Sequence, residues 1–90
     1  MNYGERLVTV ENRLGLHARP AAELVKLAAK FESEITISKD EMAVNGKSIL
    51  GVMTLAAECG SVLLLKAEGA DAERAVEELA KLLAHNYQEE

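Results

Sequence analysis

The stretch from residue 61 to residue 83, SVLLLKAEGADAERAVEELAKLL, contains a strand pattern followed by a helix pattern. Residues 61–67 carry apolar side chains on both alternating faces, which is typical of a strand that lies inside a sheet. Gly69 is expected to end this strand, and Asp71 is a favourable N-cap for the helix that follows. Four apolar residues at helical spacing are predicted to face the core: Ala72, Val76, Leu79 and Leu83. The stretch therefore predicts a sheet covered by an amphipathic helix.

The remainder of the chain contains three further strand patterns and two further helix patterns. Strands are predicted at residues 6–11, 34–38 and 42–44, where short apolar or alternating runs occur. Helices are predicted at residues 18–31 and 48–60, where apolar residues recur at three- and four-residue spacing. The resulting order, β-α-β-β-α-β-α, predicts a two-layer α+β domain with helices on one face of a single sheet.

The composition limits the classes of protein to which the chain can belong. The 90 residues are 49% apolar and include three aromatic residues, which suffices for one modest core of aliphatic side chains. The formal net charge of −5 argues against general nucleic-acid binding. The single cysteine cannot form an internal disulfide, no apolar run could span a bilayer, and the N-terminus has no export-signal pattern. We therefore expect one domain over residues 1–90 that is cytoplasmic, binds no nucleic acid and does not insert into a membrane.

Residues 15–20, GLHARP, stand at the start of the first predicted helix. His17 precedes the helical run, where the first backbone N–H groups have no intrahelical partner and the helix dipole is positive. Such a helix start favours a bound anion, phosphate above all. Arg19 adds a fork of donors that matches phosphate oxygens, and Leu16 and Pro20 flank the pair with apolar groups. The arrangement suits a histidine that accepts a phosphoryl group and passes it on.

Other interpretations of His17 are compatible with the residues alone. It can be a surface histidine in a loop, beside a solvated Arg19. It can be the nucleophile or acid–base group of a small enzyme, although no partner triad stands nearby and the chain is short for enclosing a substrate. It can also be incidental to a regulatory α+β module that binds a small molecule. The second histidine, His85, is expected to lie in solvent in the last helical turn.

The helix predicted at residues 48–60 is expected to begin at a serine N-cap and to stop at a glycine. Its apolar residues form two competing stripes, one through Ile49 and Met53 and one through Leu55 and Cys59. Only one stripe of a narrow helix can face the core. Cys59 is expected to be a small buried residue rather than a nucleophile.

Whichever stripe faces the core, apolar residues in the first turns of this helix must be exposed. Small exposed apolar patches often mark surfaces that bind partners. We therefore predict a docking patch here, with a basic rim that attracts acidic partners. The docking patch comprises Ile49, Leu50 and Met53, beside Pro20, and its rim comprises Lys26 and Lys47.

Three stretches resemble the HPr family, the histidine-containing phosphocarriers of the bacterial sugar phosphotransferase system. They are GLHARPAAELVKLAAKF (15–31), VNGKSILGVMTL (44–55) and KAEGADAERAVEEL (66–79). The likeness extends from about residue 6 to residue 83. It implies an open-faced β-sandwich of order βαββαβα, in which three helices cover one face of a four-stranded antiparallel sheet.

The resemblance also implies the roles of individual residues. His17 matches the histidine that is phosphorylated on Nδ1 by the phosphoenolpyruvate-dependent Enzyme I and that passes the group to a sugar-specific IIA domain. Arg19 matches the arginine that assists the phosphate. The helix after Ser48 matches the one that docks both partners. The implied protein is a phosphoryl carrier rather than an enzyme, and we expect it to be a monomer without cofactor or metal.

The stretch NGKSILGVM (45–53) is similar to the region around the regulatory serine of HPr proteins from Gram-positive and some other bacteria. Ser48 is therefore expected to be a target of HPr kinase/phosphorylase in a host that has this kinase. The same stretch favours a sugar-system HPr over the nitrogen-related NPr, which shares the histidine block and is kept as the alternative. Crh, a related protein without a histidine at the position of His17, is excluded.

Overall fold

The computed structural model describes residues 2–84, which form four strands and three helices in the predicted order. The elements are β1 (Tyr3–Thr9), α1 (Ala18–Ala28), β2 (Glu34–Lys39), β3 (Met42–Asn45), α2 (Ile49–Thr54), β4 (Val62–Glu68) and α3 (Ala72–Ala84). Residue 1 and residues 85–90, which include His85, lie outside the described residues. The predicted element order is therefore confirmed.

The sheet is antiparallel throughout, and its strands lie in the order β1-β4-β2-β3. β4 pairs with both β1 and β2, which confirms the prediction that it lies inside the sheet. Leu65 of β4, for example, is opposite Arg6 on one side and Ile37 on the other. The four-stranded antiparallel sheet implied by the family resemblance is confirmed as well.

One face of the sheet carries the core, and the other face is open. Leu63 and Leu65 of β4 point to the core and are fully buried, whereas Val62 on the open face is 53% exposed. Burying each such aliphatic side chain contributes roughly 1.5–3 kcal/mol. α3 covers the core face with the predicted stripe, widened by two alanines. Its buried residues are Ala72, Ala75, Val76, Leu79, Ala80 and Leu83.

β1 begins and ends earlier than the predicted range 6–11. A Cβ atom at Gly4 would lie 2.9 Å from the carbonyl oxygen of Ala72, so glycine lets α3 pack closely on the start of this strand. Val10 lies beyond the strand but is buried as predicted. Its N–H donates to the carbonyl oxygen of Ser61 at 2.8 Å, which continues the pairing with the chain before β4.

α1 ends at Ala28, before the predicted end at Phe31. The backbone hydrogen bonds beyond Ala29 span three residues instead of four. The N–H groups of Lys30 and Phe31 donate to the carbonyl oxygens of Leu27 and Ala28. Such three-residue bonds are common at helix C-termini. Phe31 is nevertheless buried, as its spacing predicted.

α2 is shorter than predicted, since it ends at Thr54 rather than at Gly60. Ala56 adopts the left-handed conformation, with a φ of 51°, and turns the chain out of the helix. The Nζ group of Lys39 donates to the carbonyl oxygens of Leu55 and Ala56, at 3.0 and 3.3 Å, and so stabilises the helix end. Alanine favours helices and rarely adopts a positive φ, so the local sequence did not mark this boundary.

The early end of α2 decides which of its apolar residues are buried. Val52 and Leu55 face the core, so the second of the two predicted stripes is buried in its first half, whereas Ala56 of the same stripe is exposed. Cys59 lies beyond the helix and is exposed, so the prediction that it is buried was wrong. It sits in a turn in which the N–H group of Ser61 donates to the carbonyl oxygen of Glu58 at 2.8 Å.

Asp71 stands directly before α3, but its carboxylate binds the chain that leads into β2. Its oxygens accept hydrogen bonds from the hydroxyl of Ser33 at 2.6 Å and from the N–H groups of Ser33 and Glu32, each at 3.0 Å. These bonds, that of the Ser33 hydroxyl first, hold the pKa of Asp71 below its ordinary value. The carboxylate predicted to cap a helix therefore links two distant parts of the chain.

Candidate functional site

The loop before α1 is closed by a turn at residues 12–15. The N–H group of Gly15 donates to the carbonyl oxygen of Asn12 at 2.9 Å, and the side-chain amide of Asn12 donates to the carbonyl oxygen of Gly15 at 2.6 Å. Gly15 has a φ of +74°, and a Cβ atom there would lie 2.5 Å from the carbonyl oxygen of Ala57. Glycine is therefore required at this position. Asn12 was not among the predicted site residues, although Asn is a common turn residue.

The segment after α2 supports this loop from the side. The N–H group of Leu16 donates to the carbonyl oxygen of Ala57 at 2.8 Å. The N–H group of Gly60 donates to the carbonyl oxygen of Val10, also at 2.8 Å. The left-handed Ala56 directs the chain into this contact. The loop that leads to His17 is thus held by residues far from it in sequence.

His17 is the N-cap residue of α1, as the position of GLHARP predicted. Its backbone is extended, with φ of −77° and ψ of −172°, and its side chain makes no capping hydrogen bond. Its carbonyl oxygen accepts the first helical bond, from the N–H group of Ala21 at 3.0 Å. The N–H groups of Ala18 and Arg19 precede that bond, at the positive end of the helix dipole. The half-buried imidazole therefore stands at a helix start that its own side chain does not cap.

Arg19 and Pro20 both lie in the first turn of α1 but differ in exposure. Arg19 is exposed, and within residues 2–84 no acidic side chain forms an ion pair with it. Pro20 is fully buried. A side chain without exposed surface cannot contact a partner, so the partner-binding role predicted for Pro20 is corrected. Its ring instead fixes the first turn, where no N–H group is needed.

α2 begins at the predicted N-cap, because the hydroxyl of Ser48 accepts a hydrogen bond from the N–H group of Gly51 at 3.1 Å. Leu50 in the first turn is 77% exposed, and Ile49 and Met53 are 39% and 40% exposed. The predicted exposure of the docking patch is therefore confirmed. The helix that carries it packs against α1, so the patch lies beside the helix that His17 begins.

The two lysines of the predicted basic rim differ in exposure and in their hydrogen bonds. Lys26 lies in the last turn of α1 and is exposed. Lys47 is half-buried, and its Nζ group donates to the carbonyl oxygen of Phe31 at 2.6 Å, so its ammonium group has a structural partner. Leu14, which the sequence reasoning missed, is 59% exposed and adds apolar surface to the loop before His17.

Comparison with known protein families identifies the family of this chain. The family model described as the PTS HPr component phosphorylation site matches residues 5–85 of this chain. That span includes the His17 loop and the starts of all three helices. The chain belongs to the HPr family.

HPr proteins from several bacteria resemble the chain over most of its length. The phosphocarrier protein HPr of Treponema pallidum (strain Nichols) is 46% identical over 85 residues, which cover 94% of this chain and 97% of that protein. The HPr of Lysinibacillus sphaericus is 52% identical over 75 residues, which cover 83% and 85%. The crystal structure of HPr from Bacillus anthracis str. Ames matches with a TM-score of 0.88 at 43% identity, covering 92% of this chain and 99% of that one.

As a member of the HPr family, the protein is a phosphocarrier of the phosphotransferase system. It carries a phosphoryl group rather than acting as an enzyme, and it interacts with other components of that system. None of the helices described in residues 2–84 is long and apolar enough to cross a membrane. In the same part of the chain, no three His, Cys, Asp or Glu side chains are grouped closely enough to hold a metal ion.

Proposed function

We propose that His17 is the residue that carries the phosphoryl group, which it accepts from phospho-Enzyme I and passes to sugar-specific IIA domains. The observation that carries this proposal is the position of His17 as the N-cap of α1 with no capping bond from its side chain. His17 is half-buried, so part of its surface is accessible to a partner. The helix start beside it suits an anion.

In the proposed step, the lone pair of His17 Nδ1 attacks the phosphorus atom carried by Enzyme I. The N–P bond forms while the bond between phosphorus and its donor atom on Enzyme I breaks, and the donor atom keeps that electron pair. The N–H groups of Ala18 and Arg19 then stabilise the negative oxygens, and the guanidinium of Arg19 offers two further donors. Transfer to a IIA domain is the same displacement, with His17 as the leaving group.

Both partners are proposed to dock on the exposed patch of Ile49, Leu50 and Met53. They must reach the same imidazole ring, so one surface beside α1 can serve both in turn. The exposed Lys26 supplies positive charge near this surface, which attracts acidic partners. Lys47 contributes less charge to docking, because its ammonium group already binds a carbonyl oxygen.

Ser48 is proposed to be a regulatory phosphorylation site in a host that has HPr kinase/phosphorylase. Its half-buried hydroxyl directly precedes Ile49 and Leu50 in the docking patch. A phosphate adds a charge of about −1.5 to −2 at neutral pH. We expect this charge to repel an acidic partner and to slow transfer to or from His17, without unfolding the protein.

The sugar system is proposed rather than the nitrogen-related one, because the relatives compared above are named HPr and because of the stretch NGKSILGVM at residues 45–53. A cytoplasmic location is also proposed. The free and exposed Cys59 suits a reducing compartment, in which thiols persist.

Mass spectrometry after incubation with Enzyme I and phosphoenolpyruvate tests the assignment. The wild-type protein should gain one acid-labile, base-stable phosphate, and His17→Ala should gain none. His85→Ala is the matched control, since His17 and His85 are the two histidines of the chain. Phosphate on His17→Ala, or its loss from His85→Ala, would contradict the assignment. Transfer onward to a sugar IIA domain rather than a nitrogen-related one distinguishes the two systems.

A further inference from the structure

Asn12 is a buried polar residue whose burial is not explained by stability. Its side chain is 3% exposed, and among the described residues only Ser33 is another buried polar residue. The side-chain amide donates to the carbonyl oxygen of Gly15. The Oδ1 atom is buried, and none of the described residues donates a hydrogen bond to it. An unpartnered buried acceptor destabilises the fold, so the Oδ1 atom of Asn12 offsets part of the stability that its bond to Gly15 contributes.

The side-chain hydrogen bond of Asn12 falls on a peptide group that is held at both ends. The carbonyl oxygen of Gly15 accepts from Asn12 Nδ2 at 2.6 Å. The N–H group of the same peptide belongs to Leu16 and donates to the carbonyl oxygen of Ala57 at 2.8 Å. A peptide group is planar, so two bonds on opposite ends fix its orientation. This fixed plane lies one residue before His17.

The geometry points to Asn12 as a positioning residue for phosphoryl transfer, one that locks the Gly15–Leu16 peptide and thereby aims the His17 imidazole at the partner. This inference rests on the proposed role of His17. Asn12 does not need to touch the phosphate or the partner to act in this way, since it is almost fully buried. Without its bond, only the bond to Ala57 would restrain the plane, and the ring would sample more orientations.

Misorientation of the His17 ring should affect the kinetics differently from weaker binding of the partner. Misplacement of a reacting group by about 1 Å can slow a reaction by about 10²-fold. The docking patch on α2 makes no bond to Asn12, so the affinity for the partner should be retained. Removal of Asn12 should therefore lower kcat and leave KM nearly unchanged, whereas a residue in the interface would raise KM.

The decisive experiment measures kcat and KM of Enzyme I with this protein as its phosphoryl acceptor. Asn12→Leu has the same branched shape with larger apolar ends and cannot donate a hydrogen bond, and Asn12→Ala serves as a second variant that cannot overpack the turn. We expect kcat to fall by about tenfold or more and KM to change by less than about threefold. The amide resonances of Leu16 and His17 should shift, while those of α2 stay in place.

Ser33→Ala is the matched control, because it removes a partly buried hydrogen bond beyond the far end of α1, from the Ser33 hydroxyl to Asp71. It should lower the melting temperature and leave kcat unchanged. Wild-type kcat in both Asn12 variants, a rise in KM at unchanged kcat, or unfolding of both variants would overturn the role of Asn12. If the wild-type protein itself accepts no phosphate, the proposed function of His17 fails and this inference with it.

Discussion

The starts of α1 and α2 use their first N–H groups in opposite ways. At α2, the hydroxyl of Ser48 accepts a hydrogen bond from the N–H group of Gly51. At α1, the side chain of His17 makes no capping bond, and the third residue of the helix, Pro20, has no N–H group to offer. Replacing a good N-cap costs about 1 kcal/mol of stability. The chain therefore caps the helix start that is proposed to serve as a docking surface, whereas the side chain of His17 does not cap the start that is proposed to hold a phosphate.

Arg19→Ala should produce the largest effect, because it removes the charged donor from the uncapped helix start. A hydrogen bond to a charged group is worth about 1.5–3 kcal/mol, so the transfer rate should fall about ten- to a hundredfold. Arg19→Lys should recover only part of this loss, since an ammonium group cannot grip two oxygens in a plane. Rapid-mixing assays with Enzyme I measure these rates.

Arg13→Ala is the matched control for Arg19, since Arg13 is an exposed arginine in the preceding loop. It should transfer at nearly the wild-type rate, and none of these variants should melt at a lower temperature. Equal rates for Arg13→Ala and Arg19→Ala would mean that net charge, rather than a donor at the helix start, governs transfer.

Leu50→Glu should weaken the binding of Enzyme I by about tenfold or more, because it places a charge at the centre of an apolar patch, where the loss of a key contact costs about 2 kcal/mol or more. Its melting temperature should hardly change, since Leu50 is 77% exposed. Calorimetric titration gives the affinity. Leu7→Glu is the control, because Leu7 is 67% exposed on the open face of the sheet and outside the patch. Similar weakening by both variants would argue against a patch on α2.

Ser48→Ala and Ser48→Asp should separate the capping role of this serine from its proposed regulatory role. Ser48→Ala should lose about 1 kcal/mol and melt roughly 4–8 °C lower, with normal transfer. Ser48→Asp keeps a good cap and should retain its stability, but its added charge should slow transfer by less than Arg19→Ala does. Normal transfer by Ser48→Asp would leave Ser48 with capping alone.

The smallest expected effect concerns Asp71, directly before α3, and it is a change in stability at acidic pH. The folded-state pKa of Asp71 is lowered, chiefly by the Ser33 hydroxyl. Its stabilising contribution is therefore present above the unfolded value of 3.8 and is lost as the pH falls through the lower folded value. Melting curves of Asp71→Asn should depend less on pH in this range than those of the wild type. Glu77→Gln, a change at an exposed residue of α3, is the control, and equal slopes for all three proteins would contradict the prediction.

Local sequence was sufficient for the element order, the inner position of β4, the buried stripe of α3 and the places of His17 and Ser48. Each of these follows from the spacing of apolar residues or from a helix-start residue, which acts within one or two turns of the chain. The exposure of the docking patch also followed, because one narrow helix had more apolar residues than a single face can bury.

Other features depend on contacts between residues that are distant in sequence, and only the tertiary structure decided them. α2 ends at Thr54 because Ala56 turns left-handed and Lys39, from β2, binds the carbonyl oxygens there. Asn12 belongs to the site because Gly15 must lie against Ala57. In both cases contacts between distant residues contribute the deciding free energy, through hydrogen bonds and close packing that local propensity does not reveal. Asn12 and Gly15 are typical turn residues, but the local pattern does not show that their turn packs against Ala57.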